Sequence, residues 1–313
     1  MFERIPKGGL IALCAVTSLA GCGEPRQQGA VRSLQDDGDR ALSVYVVNYP
    51  LQFFAQRIGG ELVQVEFPAP ADVDPAYWSP DPDLVSAYQG ADLTLLNGAS
   101  YAGWIERTTL PPSKLVNTSA SFADRHIFVE SAVTHSHGPE GDHSHGEFAF
   151  TTWLDPTLAA EQAEAILQAF IAAYPEGEDV FQEGFDALAD DLQALDQRLA
   201  AVFAGMAGKP LLGSHPVYQY LARRYDLDLK SVHFEPGENP PENAWWDLQK
   251  ILAQHPAAWM LWEGEPLPET SSTLGELGVR SVVFDPCGNA PEEGDFLSVM
   301  SENVSNLAEA FGN

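Results

Sequence analysis

Four of the chain's eight histidines fall within eleven residues: His135, His137, His143 and His145, in the stretch THSHGPEGDHSHGE over 134–147. Imidazole is largely unprotonated at neutral pH, which makes it a ligand for zinc, copper and nickel. Two His-x-His pairs flanking Glu140 and Asp142, with no large apolar side chain to anchor them, describe a metal-gathering loop. The same composition also fits a solvated low-complexity segment.

The start of the chain says where such a loop would work. Arg4 and Lys7 precede an apolar run over 10–19, then Ala20, Gly21 and Cys22. A charged start, a short apolar middle and small residues before a cut describe an export signal, too short to span a bilayer. Leu19-Ala20-Gly21-Cys22 resembles the lipobox of bacterial lipoproteins, in which the cysteine is lipidated, so Cys22 is the expected anchor. Residues 22–41 are polar and read as a flexible tether. Of Cys14, Cys22 and Cys287, only Cys287 remains as a thiol, so no disulfide framework is expected.

The net charge is −29, from 45 acidic and 16 basic residues; without residues 1–21 it is −30. That excess excludes nucleic acid as a partner, because phosphate contacts need clustered Lys and Arg. It draws divalent cations toward the surface without marking a site.

The elements that would position a site follow from periodicity. β-branched or alternating runs over 42–47, 62–67, 91–97 and 115–117 read as strands, with helices over 50–58 and 83–88 between them. Asp155 caps a helix that opens at Pro156 and runs to Tyr174. Over 178–206, Phe181, Phe185, Leu188, Leu192, Leu195, Leu199 and Val202 recur at spacings of three and four, one apolar face of a helix roughly 40 Å long. Strands then resume at 210–213, 229–234, 259–262 and 280–284. Helices follow over 218–225, 245–255, 272–277 and 296–311. The expected fold is α/β: two lobes with mostly parallel sheets joined by one long backbone helix, and a cleft between the lobes. The divisions are a signal over 1–21, the tether over 22–41, a first lobe over 42–155, helices over 156–206 and a second lobe over 207–313. Ligands of such sheets bind beyond the carboxyl ends of strands, so the residues just after strands are the candidates.

Several of these segments together resemble the solute-binding lipoproteins of ABC importers for zinc and manganese, from about Leu42 to the C-terminus. The markers are ADLTLLNGA over 91–99 with Trp104, the His-rich insertion leading to Trp153-Leu-Asp-Pro156, GSHPVYQY over 213–220 and FDPCG over 284–288. The resemblance implies two α/β lobes on a long helix. It also implies a metal between the lobes held by three histidines, or two and a glutamate, plus an acidic residue. Carried over by position, His215 and Asp285 match the third and fourth ligands, and histidine at 215 looks like the zinc version. The other two depart: Ala76 and Thr151 stand where the family has histidine.

Three explanations stay open. Loop imidazoles such as His143 or His145 complete the set; or acids near the cleft, Asp72, Asp74, Glu235 and Glu263, make a site of different character; or the cleft takes another solute. Trp78, Trp153, Trp245 and Trp262 offer aromatic surface for an organic ligand or metal chelate, beside an ordinary core role. His126, His233 and His255 are read as structural. A zinc hydrolase is the enzyme alternative, but four residues separate His137 from Asp142 where the HxHxDH pattern has one, and no G-x-S-x-G elbow occurs. The expectation is therefore not an enzyme but an exported, monomeric metal-capturing lipoprotein, lipid-anchored at the bacterial cell envelope on the periplasmic side. Zinc is the favoured cargo, with manganese or another divalent transition metal after it, and a permease is the partner. A zinc buffer or chaperone is the alternative.

Overall fold

In the computed structural model, residues 40–129 and 148–312 are described in full, and 134–136 and 142–144 as backbone strands. The expected signal, the anchor Cys22, most of the tether, His137 and His145 lie outside these residues. So do the side chains of His135 and His143.

The first sheet is built from β1 (Leu42–Val46), β2 (Val63–Glu66), β3 (Leu93–Leu96) and β4 (Leu115–Asn117) in the order β2-β1-β3-β4, every pair parallel. Val44, Val46 and Leu95 are fully buried, as strands covered by helices require. Helix α1 (Tyr49–Gly59) starts at Asn48, whose side chain accepts from the Leu51 N–H, and stops at Gly60, whose φ of +53° suits glycine. Helix α2 (Pro82–Gly90) is capped in the same way by Asp81.

Strands β5 (Thr134–Ser136) and β6 (Asp142–Ser144) pair antiparallel, with positions 135 and 143 opposite each other. Below them, Phe128 and Phe148 bridge.

Helices α3 (Pro156–Ala173) and α4 (Glu178–Phe203) follow; α4 buries Phe181, Leu188, Leu192, Leu195, Leu199 and Val202 and leaves Phe185 half-buried. The second sheet takes β7 (Leu211–Gly213), β8 (Leu229–Ser231), β9 (Trp259–Trp262) and β10 (Arg280–Val283) in the order β10-β9-β7-β8, again all parallel. Helices α5 (Gln219–Arg224), α6 (Glu242–Gln254) and α7 (Pro268–Glu276) connect them, and α8 (Phe296–Phe311) closes the chain.

One apolar core runs through both lobes. Helix α4 packs on α3 and α1 of the first and on α8 of the second. The Phe296 ring of α8 sits 5.6 Å from Phe53 and 5.3 Å from Phe54, both on α1. Such a shared core resists wide opening, because sliding one lobe would break dense packing.

Helices α4 and α1 approach closely at Gly184 of α4. A Cβ there would lie 2.5 Å from the Arg57 carbonyl oxygen and 2.7 Å from that of Ile58. Arg57 also pairs with Asp191, about two turns further along α4, at 2.7 Å. Gly184→Ala is therefore expected to destabilise the fold by about 1–3 kcal/mol through overpacking. Urea unfolding should read this as a lower midpoint at unchanged slope.

Candidate metal-binding cleft

Four strands of the second sheet hand over one candidate ligand each, in register. Beyond β7, Ser214 donates its N–H to the Leu261 carbonyl at 2.8 Å, and Phe234 donates to that of Ser214 at 2.7 Å. Phe284 donates to the Trp262 carbonyl at 2.7 Å. The residues one step past these bonds are His215, Glu235, Glu263 and Asp285. Strand order β10-β9-β7-β8 places them in a row, Asp285, Glu263, His215, Glu235, along the carboxyl edge of the sheet. This is where open parallel sheets hold ligands.

The same order sets the spacing of His215 and Asp285. They lie two strands apart, roughly 10 Å by strand spacing, with Glu263 between them. His215 has glutamates for neighbours: its Nδ1 is 3.2 Å from Glu235 Oε1 and 3.7 Å from Glu263 Oε1. The loops on both sides are fastened together, since the Tyr218 hydroxyl donates to the Phe284 carbonyl at 2.9 Å. Asp285 Oδ1 accepts from the Cys287 N–H at 2.6 Å, and its backbone is clasped by Asn303.

The first lobe faces this row with Asp72 and Asp74 and with the rings of Tyr77, Tyr101, Phe150 and Trp153, across a cavity of about 680 Å³. Asp74 turns its own loop, accepting from the Ala76 N–H at 2.9 Å. Tyr101 rides on a turn after β3 in which Gly98, Ala99, Ser100 and Ala102 all have positive φ. Backbone held in that region away from glycine is strained and persists where its surroundings over-determine it. Phe150 is positioned from below by buried amides. Asn97 Nδ2 donates to its carbonyl at 2.9 Å, while Gln162 Nε2 donates to Asn97 Oδ1 at 3.2 Å and to Thr118 Oγ1 at 2.9 Å.

Both departures from the family pattern have structural consequences. Ala76 is buried in the core, with Pro75 and Tyr77 on either side reaching the cavity. Thr151 lines the cavity, but its hydroxyl donates to the Val217 carbonyl and so joins the two walls.

Electrostatics follow from crowding acids into a half-dry cleft. Burial pushes the Glu263 carboxyl up to about 7, against the pull of His215 and with the charges of Glu235, Asp74 and Asp285 adding to the rise. For His215, burial works downward, but the hydrogen bond to Glu235 and the charges of Glu263, Glu235 and Asp74 outweigh it and its pKa rises. Asp285 is raised by burial, partly offset by the Cys287 N–H. The Tyr77 hydroxyl is raised by burial and by Asp74, Glu263 and Glu235, so it looks into the same acids from the opposite wall.

Trp153 lines the cleft, its Nε1 donating to the Pro286 carbonyl at 2.7 Å. Trp262 is instead fully buried, Trp245 packs 5.0 Å from Phe234, and Trp78 is half-buried away from the cavity. Trp262 and Trp245 belong to the apolar core of the second lobe. His126 and His255 hydrogen-bond to Ser119 Oγ and the Leu211 carbonyl oxygen. His233 stands behind the site, its ring 5.3 Å from that of His215. Reading for polar ligands missed Tyr101 and Phe150; the position of Tyr101 just past the Gly98 turn was the available signal.

As a site for an ion, the row offers one imidazole and carboxylates. Among the described residues no three such groups are close enough to enclose a metal as they stand. Nitrogen and oxygen donors suit zinc, and a larger oxygen share suits manganese.

Two parallel α/β lobes around one long helix, with a donor row at a sheet edge facing a second wall, define a solute-binding protein of the two-lobed class. The chain belongs to the ZnuA family, zinc-uptake complex component A, periplasmic, whose profile matches residues 44–310. It is 26% identical over 289 residues to the zinc-binding lipoprotein AdcA of Streptococcus pneumoniae, covering 88% of this chain and 57% of that one. It is 24% identical over 328 residues to the high-affinity zinc uptake system protein ZnuA of Bacillus subtilis, covering 99% and 98%. The chain thus spans little more than half of AdcA but nearly all of the Bacillus protein. The crystal structure of the Zn(II)-bound ZnuA-like domain of Streptococcus pneumoniae AdcA has the same fold, with TM-score 0.73, 20% identity, and coverage of 87% and 100%.

Proposed function

We propose that this protein is the solute-binding component of an ABC importer and captures a divalent transition metal, zinc first, for a membrane permease. His215 supplies the nitrogen donor, Glu263 and Glu235 the nearest oxygens, with Asp285 beyond Glu263 and Asp74 on the opposite wall. The observation that carries this reading is the row of strand-end donors, with His215 Nδ1 3.2 Å from Glu235 and 3.7 Å from Glu263. The names of AdcA and of the Bacillus ZnuA support zinc. Attachment through lipid at Cys22, outside the membrane, and action as a monomer complete the proposal. Among the described residues no helix is long and apolar enough to cross a membrane.

Titration calorimetry of tag-free protein tests it: one saturable zinc site is expected in the cleft, and no heat with either zinc or manganese would overturn it. The loop is assigned a gathering role rather than a place in the cleft. Its two stems are fixed below the hairpin, where the Ala149 N–H meets the Ile127 carbonyl at 2.9 Å. Tyr220 of α5 also ties both stems, accepting from the Ile127 N–H and donating to the Ala149 carbonyl. Deleting 134–147 is therefore expected to lower the zinc bound per chain while the tightest site keeps its affinity; a tenfold loss at that site would instead make the loop a ligand donor.

A further inference from the structure

The two walls of the cleft differ in chemistry. The second lobe presents His215 and carboxylates, while the first presents a set of touching aromatic rings, Tyr77 and Phe150 half-buried and Tyr101 and Trp153 largely buried. Tyr77 contacts Phe150 edge-on at 6.2 Å, Phe150 meets Tyr101 at 5.2 Å, and Tyr101 meets Trp153 at 5.9 Å. All four rings line the cavity of about 680 Å³. That volume is in the range of small-molecule sites, which are mostly apolar with a few placed polar groups. A zinc ion with donors at roughly 2 Å fills far less. Among the described residues of the first-lobe wall, Ala76 has no donor, and the Thr151 hydroxyl is engaged with the Val217 carbonyl.

We infer that the cleft takes its metal together with a small planar nitrogen heterocycle of the imidazole class, the ion on His215 and Glu263 and the ring against Tyr77, Phe150 and Tyr101. This inference rests on the cleft being the metal site. A neutral imidazole leaves the zinc complex doubly positive, which suits a cleft walled by Asp74, Glu235, Glu263 and Asp285. An anionic oxygen chelator such as citrate would be repelled by the same carboxylates. Metal coordination polarises the heterocycle's edge, and a positive edge is what aromatic faces attract. The co-ligand's nitrogen adds a donor to His215 and Glu263, since among the described residues no three such groups enclose an ion by themselves.

The test uses tag-free protein, zinc chloride and imidazole, with binding compared at equal free zinc. Imidazole is expected to tighten zinc binding tenfold or more, and native mass spectrometry should find a protein–zinc–imidazole species. Citrate should give no tightening, and in Phe150→Ala, or the milder Phe150→Leu, the enhancement by imidazole should fall toward one. Zinc binding that is lost in His215→Ala yet indifferent to imidazole, with no ternary mass, would overturn this inference and leave the metal-site reading intact. An affinity at the tightest zinc site that is undiminished in His215→Ala would overturn that reading as well. Equal enhancement by citrate, or enhancement undiminished in both Phe150 variants, would also reject the assigned class and seat.

Discussion

His215→Ala is expected to weaken zinc binding at least a hundredfold. Among the described residues that line the cleft it is the only imidazole, and zinc prefers imidazole to further carboxylate in a mixed set. A factor of one hundred corresponds to about 2.7 kcal/mol. The substitution also removes the group that sits between two glutamates, 3.2 Å from one and 3.7 Å from the other, so the remaining acids repel without a cation to hold them. The readout is twofold. Calorimetry gives the affinity, and thermal unfolding gives the linkage, because a ligand at a hundred times its Kd stabilises the native state by about 2.7 kcal/mol. Wild-type protein should gain several degrees on adding zinc, and the variant should gain almost nothing at the same concentration. An equal gain in both would remove His215 from the site.

Glu263→Gln is expected to separate stability from binding, in opposite directions. The Glu263 carboxyl has its pKa raised to about 7 in the fold, against an unfolded value of 4.5. Between those limits the native state holds a proton that the unfolded chain has lost, so stability falls as pH rises from about 4.5 to about 7. His215, also raised, keeps its proton in the fold above the pH at which the unfolded chain loses it. Its contribution is present at low pH and disappears as pH climbs through the raised value. Both groups therefore give the metal-free protein a melting temperature that declines from pH 5.5 to pH 8. Replacing Glu263 by the neutral isostere should flatten that decline and stabilise the metal-free fold at pH 8. Because the side chain is 29% exposed, solvent screening limits the gain to on the order of 1–2 kcal/mol. Zinc must displace those protons, so wild-type affinity should rise with pH toward 7, and Glu263→Gln should lose at least tenfold in affinity at pH 8. A variant equally unstable at pH 8 would mean that the Glu263 charge is well solvated. Affinity unchanged by Gln would mean that it is not a ligand.

Much of the architecture was legible because it is written in local periodicity. Strand β9 and helices α3, α4 and α8 begin where pattern and caps put them. Asp155 and Pro156 mark the start of α3, and the leucine stripe from Leu188 to Leu199 marks the buried face of α4. Ends were less legible. The run over 229–234 gives up strand geometry after Ser231, although Val232 and Phe234 still bond the β7 strand and the residue after it. Glu235 and Glu263 were reachable from sequence by the rule that ligands follow strands, and Asp74 by its place in the loop of the first lobe.

What the sequence determined by itself was the class: two parallel lobes, a connecting helix, and a family pattern that keeps His215 and Asp285 and gives up two histidines. Strand order, not chain order, decided who neighbours whom. Because β9 lies between β7 and β10, Glu263 stands between His215 and Asp285, and because β8 lies on the other flank, Glu235 meets His215 directly. The ring contacts joining Tyr77, Phe150, Tyr101 and Trp153 likewise bring together residues from separate loops. Periodicity reports which face of an element is buried, but pairing between distant strands is chosen by the whole core at once. A row of donors exists only after that choice is made.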